Sequence, residues 1–327
     1  MENILVIRLK AIGDVIFTLP AVNALRGNFP DAQIHFLTSS ENAGLLRGFE
    51  EVNRVLTLDR AALRGGNVFK AGAELLGLFR RLRGGRFSHV VDFQGFGETA
   101  WLTRLTGAPH RWGSVHGPGR AWAYTRGIRR DDHLHFIDWN LRLLELCGVK
   151  SREINNHFRL PAEALATGEK FFLENGLDRA RPALVIQPFT STPQKNWPLE
   201  NYLQVAGHWR GKGVQIIFMG GPADALPMES ARAQGFCVAT GLPLLGSAAL
   251  VQLSALALGG NTGLMHLGVA QGRRVLMLMM HKQPNACFPF RHPDWAIVPE
   301  PVGDIRRITV QAVLDETGKA LASQALG

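Results

Sequence analysis

The sequence is poor in features that define several common classes of protein. Its three cysteines lie far apart among 327 residues and form no C-x-x-C pair, so neither a disulfide framework nor a zinc site is indicated. No apolar run reaches the roughly 18 residues that a membrane-spanning helix needs. The apolar N-terminus carries charges and does not read as a signal peptide. These absences predict a cytoplasmic protein with reduced thiols that is at most peripheral to a membrane.

Several motifs of catalysis and nucleotide binding are also missing. G-x-G-x-x-G does not follow the first predicted strand, and no G-x-x-x-x-G-K-[ST] occurs, so neither a dinucleotide site nor a P-loop is supported. G-x-S-x-G and H-E-x-x-H are absent as well. His133 and His135 lack an accompanying set of carboxylate and histidine ligands, so no metal site is predicted. Aromatic residues make up only 8% of the chain, and without an RNP or zinc-finger pattern no nucleic-acid partner is expected.

The size and charge of the chain indicate a large folded protein with an anionic partner. A length of 327 residues with 46% apolar and 19% charged residues suits two domains of similar size. Lysine and arginine number 36 against 27 acidic residues, which gives a net charge of +9. Such an excess favours nucleic acid, a membrane surface or a phosphorylated substrate, and does not by itself choose among them.

Strands and helices alternate twice along the chain, with a polar, irregular linker over 149–161. This pattern predicts an α/β protein of two doubly wound, Rossmann-like domains that face each other across a cleft, residues 1–155 and 156–327. The last helix can belong to the second domain or pack back on the first. The predicted strands are 33–38, 53–58, 87–93, 182–187, 214–219, 236–240 and 274–279, and the predicted helices are 68–84, 99–106, 136–147, 163–175, 199–211, 225–234, 247–256 and 308–325.

The first twenty residues form one unit. Residues 3–8 are a short apolar run typical of a buried parallel strand, and residues 15–29 carry apolar side chains at helical spacing. Asp14 lies between the two, where open α/β sheets bind ligands. Its carboxylate is therefore either a helix cap or a functional group.

A glycine-rich segment, residues 259–267, is the strongest local signal in the second half. Its glycines, followed by Asn261 or Thr262 as a cap, offer free N–H groups and a positive helix end to phosphate oxygens. His266 lies one turn further on, on the side of Thr262. An ordinary capped helix and a core histidine are the alternatives.

Two further loops follow predicted strands. Hydroxyls at Thr190 and Ser191 precede the ammonium group of Lys195, and both kinds of group suit a diphosphate. Asp224 follows Gly221 in another strand-to-loop turn, where a carboxylate either binds ribose hydroxyls or caps a helix.

The segment 116–135 is loop-rich, basic and aromatic. It is either a solvated loop or a docking surface for an anionic, partly apolar acceptor. The arginines that would form this surface are Arg120, Arg126, Arg129 and Arg130.

Taken together, these motifs resemble the ADP-heptose:lipopolysaccharide heptosyltransferase family, which is glycosyltransferase family 9 and has the two-domain GT-B fold. The resemblance extends over nearly the whole chain. The residues that carry it are Ile7-Arg8-x-x-x-Ile12-Gly13-Asp14-Val15-x-x-Thr18-Leu19-Pro20, Val91-Asp92-Phe93-Gln94-Gly95, Lys195-Asn196-Trp197-Pro198, Gly220-Gly221-Pro222 and Thr262-Gly263-x-x-His266-Leu267.

The resemblance implies an inverting sugar transfer from a nucleotide-sugar donor, with an N-terminal acceptor domain and a C-terminal donor domain. Asp14 would be the general base for the acceptor hydroxyl, and Lys195 would stabilise the leaving diphosphate. No metal or other cofactor would be required. The donor site implied by the family comprises Gly13, Thr190, Ser191, Lys195, Gly221, Asp224, Asn261, Thr262, Gly263 and His266.

The family also implies an anionic glycolipid acceptor, the lipopolysaccharide inner core, and hence peripheral contact with the cytoplasmic face of the inner membrane. One residue departs from the family pattern: aspartate usually precedes Thr-Gly, whereas this chain has Asn261. Asparagine keeps an acceptor oxygen but loses the charge, which bears on the identity of the donor sugar. A nucleotide-sugar isomerase or epimerase on the same scaffold and a non-catalytic binder of ADP-sugar or glycolipid are the alternative functions.

Overall fold

The computed structural model describes residues 2–150, 153–281 and 287–324. The chain divides into two compact units, Met1–Arg159 (unit 1) and Leu160–Gly327 (unit 2), whereas the sequence places the boundary after residue 155. Of the predicted linker, residues 151–152 lie outside the described ranges, and residues 153–161 form neither helix nor strand.

Unit 1 is built on a parallel sheet. The strands of its described part are β1 Asn3–Ile7, β2 Gln33–Ser39, β3 Arg54–Leu58, β4 His89–Asp92, β5 His110–Val115 and β6 Arg126–Arg129. The helices are α1 Ile12–Ile16, α2 Leu19–Asn28, α3 Arg60–Arg64, α4 Val68–Gly84, α5 Gly97–Thr106 and α6 Phe136–Leu146, with 3₁₀ segments at Ser40–Gly48 and Pro118–Ala123. The six strands lie in the order β3-β2-β1-β4-β5-β6, so that β1 and β4 lie at the point where the order of strands reverses.

The apolar first strand occupies the centre of this sheet. It pairs in parallel with β2 on one side and with β4 on the other, and residues 4–7 are fully buried. A strand covered on both faces needs apolar side chains at successive positions, which is the pattern of residues 4–7.

The helix after this strand differs from the prediction. A single helix over 15–29 is wrong: α1 ends at Ile16, and α2 begins at Leu19. Pro20 occupies the first turn of α2, where its missing N–H is tolerated, whereas in the middle of a helix it would break the hydrogen-bond ladder. The carbonyl of Phe17 instead accepts a hydrogen bond from Asn140 Nδ2 at 2.9 Å.

Unit 2 repeats the plan of unit 1. The strands of its described part are β7 Ala183–Gln187, β8 Gln215–Gly220, β9 Cys237–Thr240, β10 Leu256–Gly260, β11 Val275–Leu278 and β12 Ala296–Ile297. The helices are α7 Ala162–Glu174, α8 Leu199–Gly211, α9 Glu229–Ala233, α10 Leu244–Leu253, α11 Gly263–Ala270 and α12 Val310–Gln324, with 3₁₀ turns at Pro193–Lys195, Pro222–Asp224, Pro293–Trp295 and Ile305–Arg307. The strands are parallel and lie in the order β12-β11-β10-β7-β8-β9, so β7 and β10 meet at the reversal of strand order.

Three predicted boundaries are corrected. The helix expected over 247–256 is α10, which ends at Leu253, and Leu256 already belongs to β10. The helix expected over 225–234 is only α9, and the loop expected over 116–135 contains β6.

The last helix packs within unit 2. Trp209 Nε1 of α8 donates a hydrogen bond to Thr317 Oγ1 of α12 at 2.8 Å, and Val313 and Ala320 are buried in the core of that unit. The sequence prediction left open a return to the N-terminal domain, and the structure assigns the helix to the C-terminal unit. Residue 325 of the predicted helix lies outside the described residues. Within the described ranges, no helix combines the length and apolarity that crossing a bilayer requires.

Candidate active site

Asp14 lies where the sequence places it, beyond the carboxyl end of β1 in the first turn of α1. This position is the switch point of the unit 1 sheet, because β2 and β3 extend the sheet on one side of β1, and β4, β5 and β6 extend it on the other. Crevices at such points are the usual ligand sites of open α/β sheets.

Two groups hold the carboxylate of Asp14. Its Oδ2 lies 2.5 Å from Nη2 of Arg8 and accepts a hydrogen bond from the Ala11 N–H at 3.0 Å. Arg8 is itself buried and donates through Nη1 to the Phe93 carbonyl at 2.7 Å. The predicted cap contact is therefore present. Within the described chain, Oδ1 has no hydrogen-bond partner, and the side chain is 27% exposed, so one carboxylate oxygen is open to a ligand.

The loop before Asp14 is held by hydrogen bonds from residues near the ends of both strands that neighbour β1. Gln94, just after β4, accepts hydrogen bonds at Oε1 from the backbone N–H groups of Leu9 at 2.9 Å and Lys10 at 3.3 Å. From the side of β2, Ser39 Oγ donates to the Leu9 carbonyl at 2.6 Å, and Asn42 Nδ2 donates to the same oxygen at 2.9 Å. These contacts fix the path of the backbone from the end of β1 to Asp14.

A buried carboxylate shapes the turn that carries Gln94. Asp92 is fully buried and accepts hydrogen bonds from the N–H groups of Gln94 and Gly95 and from Tyr124 Oη at 2.7 Å. Burial raises the pKa of Asp92, and burial beside Asp92 raises the pKa of Tyr124. Asp92 is enclosed by its own turn, so we assign it to holding the loop after β4.

Gly95 is required by this turn, and its replacement should be costly. Its φ is +68°, and an added Cβ would lie 1.9 Å from the Ser114 carbonyl oxygen. Gly95→Ala should lower the free energy of unfolding by about 2–4 kcal/mol, from left-handed strain plus overpacking, measured by urea denaturation. Gly97→Ala is the control, because nothing lies within 4 Å of its ideal Cβ. Equal stability of the two variants would contradict this reading.

The predicted acceptor arginines do not share one face. Arg120, in the 3₁₀ segment, donates to the Gly95 carbonyl at 3.1 Å and lines, with His116, Gly117 and Gly119, a cavity of about 320 Å³. Desolvation lowers the pKa of His116, and so do the charges of Arg130 and Arg120, whereas the contact with the Gln94 carbonyl and the charge of Asp132 act in the opposite direction. Arg126 and Arg129, three residues apart on β6, point to opposite faces, and Arg126 donates to the Leu146 carbonyl at 3.3 Å.

In unit 2, the loops after β7 and β10 meet at the second switch point. Thr262 caps α11, accepting from the Met265 N–H at 3.4 Å, and its hydroxyl donates to Gln187 Oε1, at the end of β7, at 2.7 Å. The loops approach so closely that a Cβ on Gly260 would lie 2.6 Å from Cγ2 of Thr190. The structure thus brings the predicted Thr190 and Thr262 segments together.

In the loop after β7, some of the predicted ligand residues are exposed, and another is already hydrogen-bonded within the loop. Thr190 Oγ1 donates to the Thr192 carbonyl at 2.8 Å, and the Thr190 N–H donates to Asn196 Oδ1 at 2.8 Å. Ser191 and Lys195 are exposed, and Lys195 makes no ion pair within the described ranges. The ammonium group of Lys195 is thus free to meet an anion, whereas the hydroxyl proton of Thr190 already holds the loop.

Asn261 and His266 are paired across the first turn of α11. His266 Nε2 lies 2.9 Å from Asn261 Oδ1, and His266 is buried. Of the two sequence alternatives, a buried, hydrogen-bonded histidine describes the observed environment, and its hydrogen bond orients the Asn261 amide at the helix start.

Asp224 caps its own turn. Its Oδ2 accepts a hydrogen bond from the Gly221 N–H at 2.8 Å, in the 3₁₀ turn after β8, the strand next to β7. The carboxylate is half-buried. The capping alternative is therefore observed, and a role in ribose binding stays a prediction.

Arg8, Gln94 and Tyr124 help to build this site, although the sequence alone assigned them no role in it. Arg8 carried a signal, because a charged residue that ends a buried strand needs a counter-ion. Gln94 and Tyr124 carried none that a linear pattern could show, since their partners lie 85 and 32 residues away.

Two parallel six-stranded sheets, each with its candidate residues at the switch point, match the GT-B fold of solved heptosyltransferase structures. Residues 75–298 match the model of glycosyltransferase family 9 (heptosyltransferase), and the chain belongs to that family. It is thus a heptosyl-transferring glycosyltransferase, which confirms the resemblance found in the sequence.

Similar proteins cover almost the whole chain. The lipopolysaccharide core heptosyltransferase OpsX of Haemophilus influenzae is 22% identical over 302 residues, covering 90% of this chain and 83% of its own. The solved structure of a family 9 glycosyltransferase from Veillonella parvula is 21% identical with a TM-score of 0.87, covering 98% and 97%. Escherichia coli heptosyltransferase WaaC with ADP is 20% identical with a TM-score of 0.78, covering 97% and 99%.

Proposed function

We propose that this protein transfers a heptose from ADP-heptose to the inner core of lipopolysaccharide. The similarity to a lipopolysaccharide core heptosyltransferase supports this acceptor. Solved structures of WaaC with ADP and with ADP-2-deoxy-2-fluoro heptose support this donor. Unit 1 would supply the catalytic base and the acceptor contacts, and unit 2 would bind the nucleotide sugar.

The observation that carries the mechanism is the carboxylate of Asp14, which Arg8 and the Ala11 N–H hold through one oxygen while the other stays open. In the proposed step, Oδ1 of Asp14 takes the proton of an acceptor hydroxyl. The hydroxyl oxygen then forms a bond to the anomeric carbon, and the bond from that carbon to the diphosphate oxygen breaks. ADP leaves with the electron pair, and attack from the opposite side inverts the anomeric configuration.

The departing diphosphate gains negative charge, and unit 2 offers positive charge to meet it. Lys195 contributes an exposed ammonium group, and the N-terminus of α11, at Thr262 and Gly263, contributes backbone N–H groups and a positive dipole end. Ser191 adds a hydroxyl. No metal or other cofactor is part of this proposal.

The support for the remaining predicted donor contacts is the position of each residue in the fold. Asn261 lies at the start of α11 in the orientation that His266 gives it, where a neutral amide would face the sugar instead of the family's carboxylate. Gly221 and Asp224 follow β8 beside the donor loops, and Gly13 precedes the base. We expect Asn261 to influence which ADP-sugar is accepted.

For the acceptor, we propose that anionic groups of the core bind beside His116, Arg120 and Arg130. The support is the cavity lined by His116 and Arg120, within the electrostatic range of Arg130. Arg126 and Arg129 remain predicted acceptor contacts. An acceptor linked to lipid would bring the enzyme to the inner leaflet, so peripheral contact with the membrane belongs to the proposal.

Arg120→Gln should raise the KM for the core acceptor about fivefold, because one cation facing an anionic group contributes roughly 1 kcal/mol. The KM for ADP-heptose should stay unchanged, and the effect should shrink at high salt. Arg142→Gln is the control, since Arg142 is an exposed arginine of unit 1 that pairs with Glu145 at 2.6 Å. An unchanged acceptor KM in Arg120→Gln would remove this cavity from the proposal.

The function is tested by incubating the protein with ADP-heptose and purified core acceptor and following the product by mass spectrometry. Transfer adds one heptosyl unit to the acceptor and releases ADP. Donor that epimerises without acceptor would identify a nucleotide-sugar epimerase instead. Calorimetric donor binding without transfer to any core acceptor would identify a non-catalytic binder.

A further inference from the structure

Helix α4 has two apolar faces, and only one of them is used by the fold. Leu78 and Leu82 are buried in the core of unit 1. Other large apolar side chains of the same helix face solvent, with Phe69 90% and Val68 79% exposed. The exposed set comprises Val68, Phe69, Leu75, Leu76 and Phe79.

These exposed side chains form one continuous stripe. At about 100° of rotation per residue, the five positions fall within an arc of about 120° that lies beside the face of Leu78 and Leu82. Gly72 and Arg83 are the other residues in that arc. A surface helix of a globular protein normally exposes its polar face, so an exposed apolar stripe of this width indicates a binding surface.

The charge around the stripe is strongly positive. Residues 59–84 contain six cationic side chains and two carboxylates. Both carboxylates serve the local structure: Asp59 accepts from the Ala62 N–H at 2.9 Å, and Glu74 accepts from the Asp59 N–H at 3.1 Å and lies 3.5 Å from Arg81. Two exposed cations of α4 belong to this surface: Arg83 lies within the arc of the stripe, and Arg80 lies at its edge.

We propose that this face of α4 docks on an anionic lipid bilayer, with the helix lying in the plane of the interface. Apolar side chains would enter the boundary of the acyl chains while the flanking cations meet anionic headgroups, as in amphipathic interfacial helices. A second copy of the chain fits less well, because a twofold contact would bring together two faces that carry the same excess of positive charge. The biological purpose, access to a lipid-linked acceptor, rests on the proposed function, but the binding itself does not.

Sedimentation with vesicles, without donor or acceptor, tests the surface. The full chain should bind phosphatidylcholine–phosphatidylglycerol vesicles, with weaker binding at high salt and on pure phosphatidylcholine. The double variant Phe69→Asp/Leu76→Asp should lower the partition coefficient at least about tenfold. Arg80→Gln/Arg83→Gln should lower it by roughly fivefold for each cation removed.

Two controls separate this surface from general hydrophobicity and from failure of the enzyme. Leu173→Asp and Leu226→Asp replace large apolar side chains of unit 2 that are 81% and 80% exposed, and both variants should bind vesicles like the wild type. Transfer to a delipidated, water-soluble core should persist in Phe69→Asp/Leu76→Asp, whereas failure of the proposed function would abolish it in the wild type too.

Unchanged vesicle binding in the α4 double variant would overturn the proposal. So would a wild-type protein that ignores vesicles but forms a dimer that the same double variant dissociates, since the stripe would then be a contact between copies of the chain.

Discussion

Asp14→Asn should lower kcat for heptosyl transfer by about 10²–10⁴-fold, the usual contribution of a positioned general base. Asparagine has the same shape and can still accept the Ala11 N–H through its side-chain oxygen, but it cannot take a proton. Binding of ADP-heptose, measured by calorimetry, should change little, because most proposed donor contacts lie in unit 2. The expected signature is therefore loss of kcat with donor affinity retained.

The same substitution separates catalysis from capping. Asp59 is an aspartate of unit 1 whose carboxylate caps α3 and lies outside the proposed site. Asp59→Asn should therefore leave kcat unchanged. Asp14→Asn should also lower the melting temperature, because Arg8 is buried and loses the charge of its partner. A melting shift without loss of turnover would make Asp14 a cap alone.

Lys195→Ala should lower kcat by about 10²-fold, the lower end of the effect of removing one group that stabilises developing negative charge. Lys195 is exposed and lies in the loop that meets the α11 segment. The KM for ADP-heptose should rise as well, because the ammonium also meets the ground-state diphosphate. Steady-state kinetics with varied donor measure both effects.

Two further variants separate the effect of the charge of Lys195 from the effect of its position. Lys195→Arg keeps the charge and should recover part of the lost activity. Lys170→Ala removes a comparable surface lysine of unit 2, 72% exposed and paired with Glu174, and should behave like the wild type. Equal kinetics for Lys195→Ala and Lys170→Ala would exclude Lys195 from the donor site.

Regular, isolated patterns of the sequence predicted the fold well. The bounds of α4 and α8 match their predicted ranges, because apolar spacing, glycines and prolines mark both ends. The sequence predicts one helix after Asp14 where the structure has two, because Ile16, Leu19 and Val22 keep helical spacing across the break. Pro20 nevertheless forces a new helix start. Residues 244–260 are apolar almost throughout, so periodicity could not separate α10 from β10.

The candidate site was only partly visible in the sequence. Position after a strand located Asp14, Lys195 and Thr262, since carboxyl ends of parallel strands share one edge of a sheet. The groups that orient them depend on strand order, which a linear pattern does not contain: Gln94 reaches Leu9 because β4 neighbours β1. The same applies to Thr262 and Gln187 across β10 and β7.

The central claim, transfer of heptose to the lipopolysaccharide inner core with Asp14 as the base, is tested most directly by mass spectrometry of the core from cells that carry or lack this protein. Removal of the protein should shorten the core by one heptosyl unit and whatever is built on it. Wild-type protein should restore the mass, and Asp14→Asn should not. A core of unchanged mass without the protein, or full restoration by Asp14→Asn, would contradict the claim.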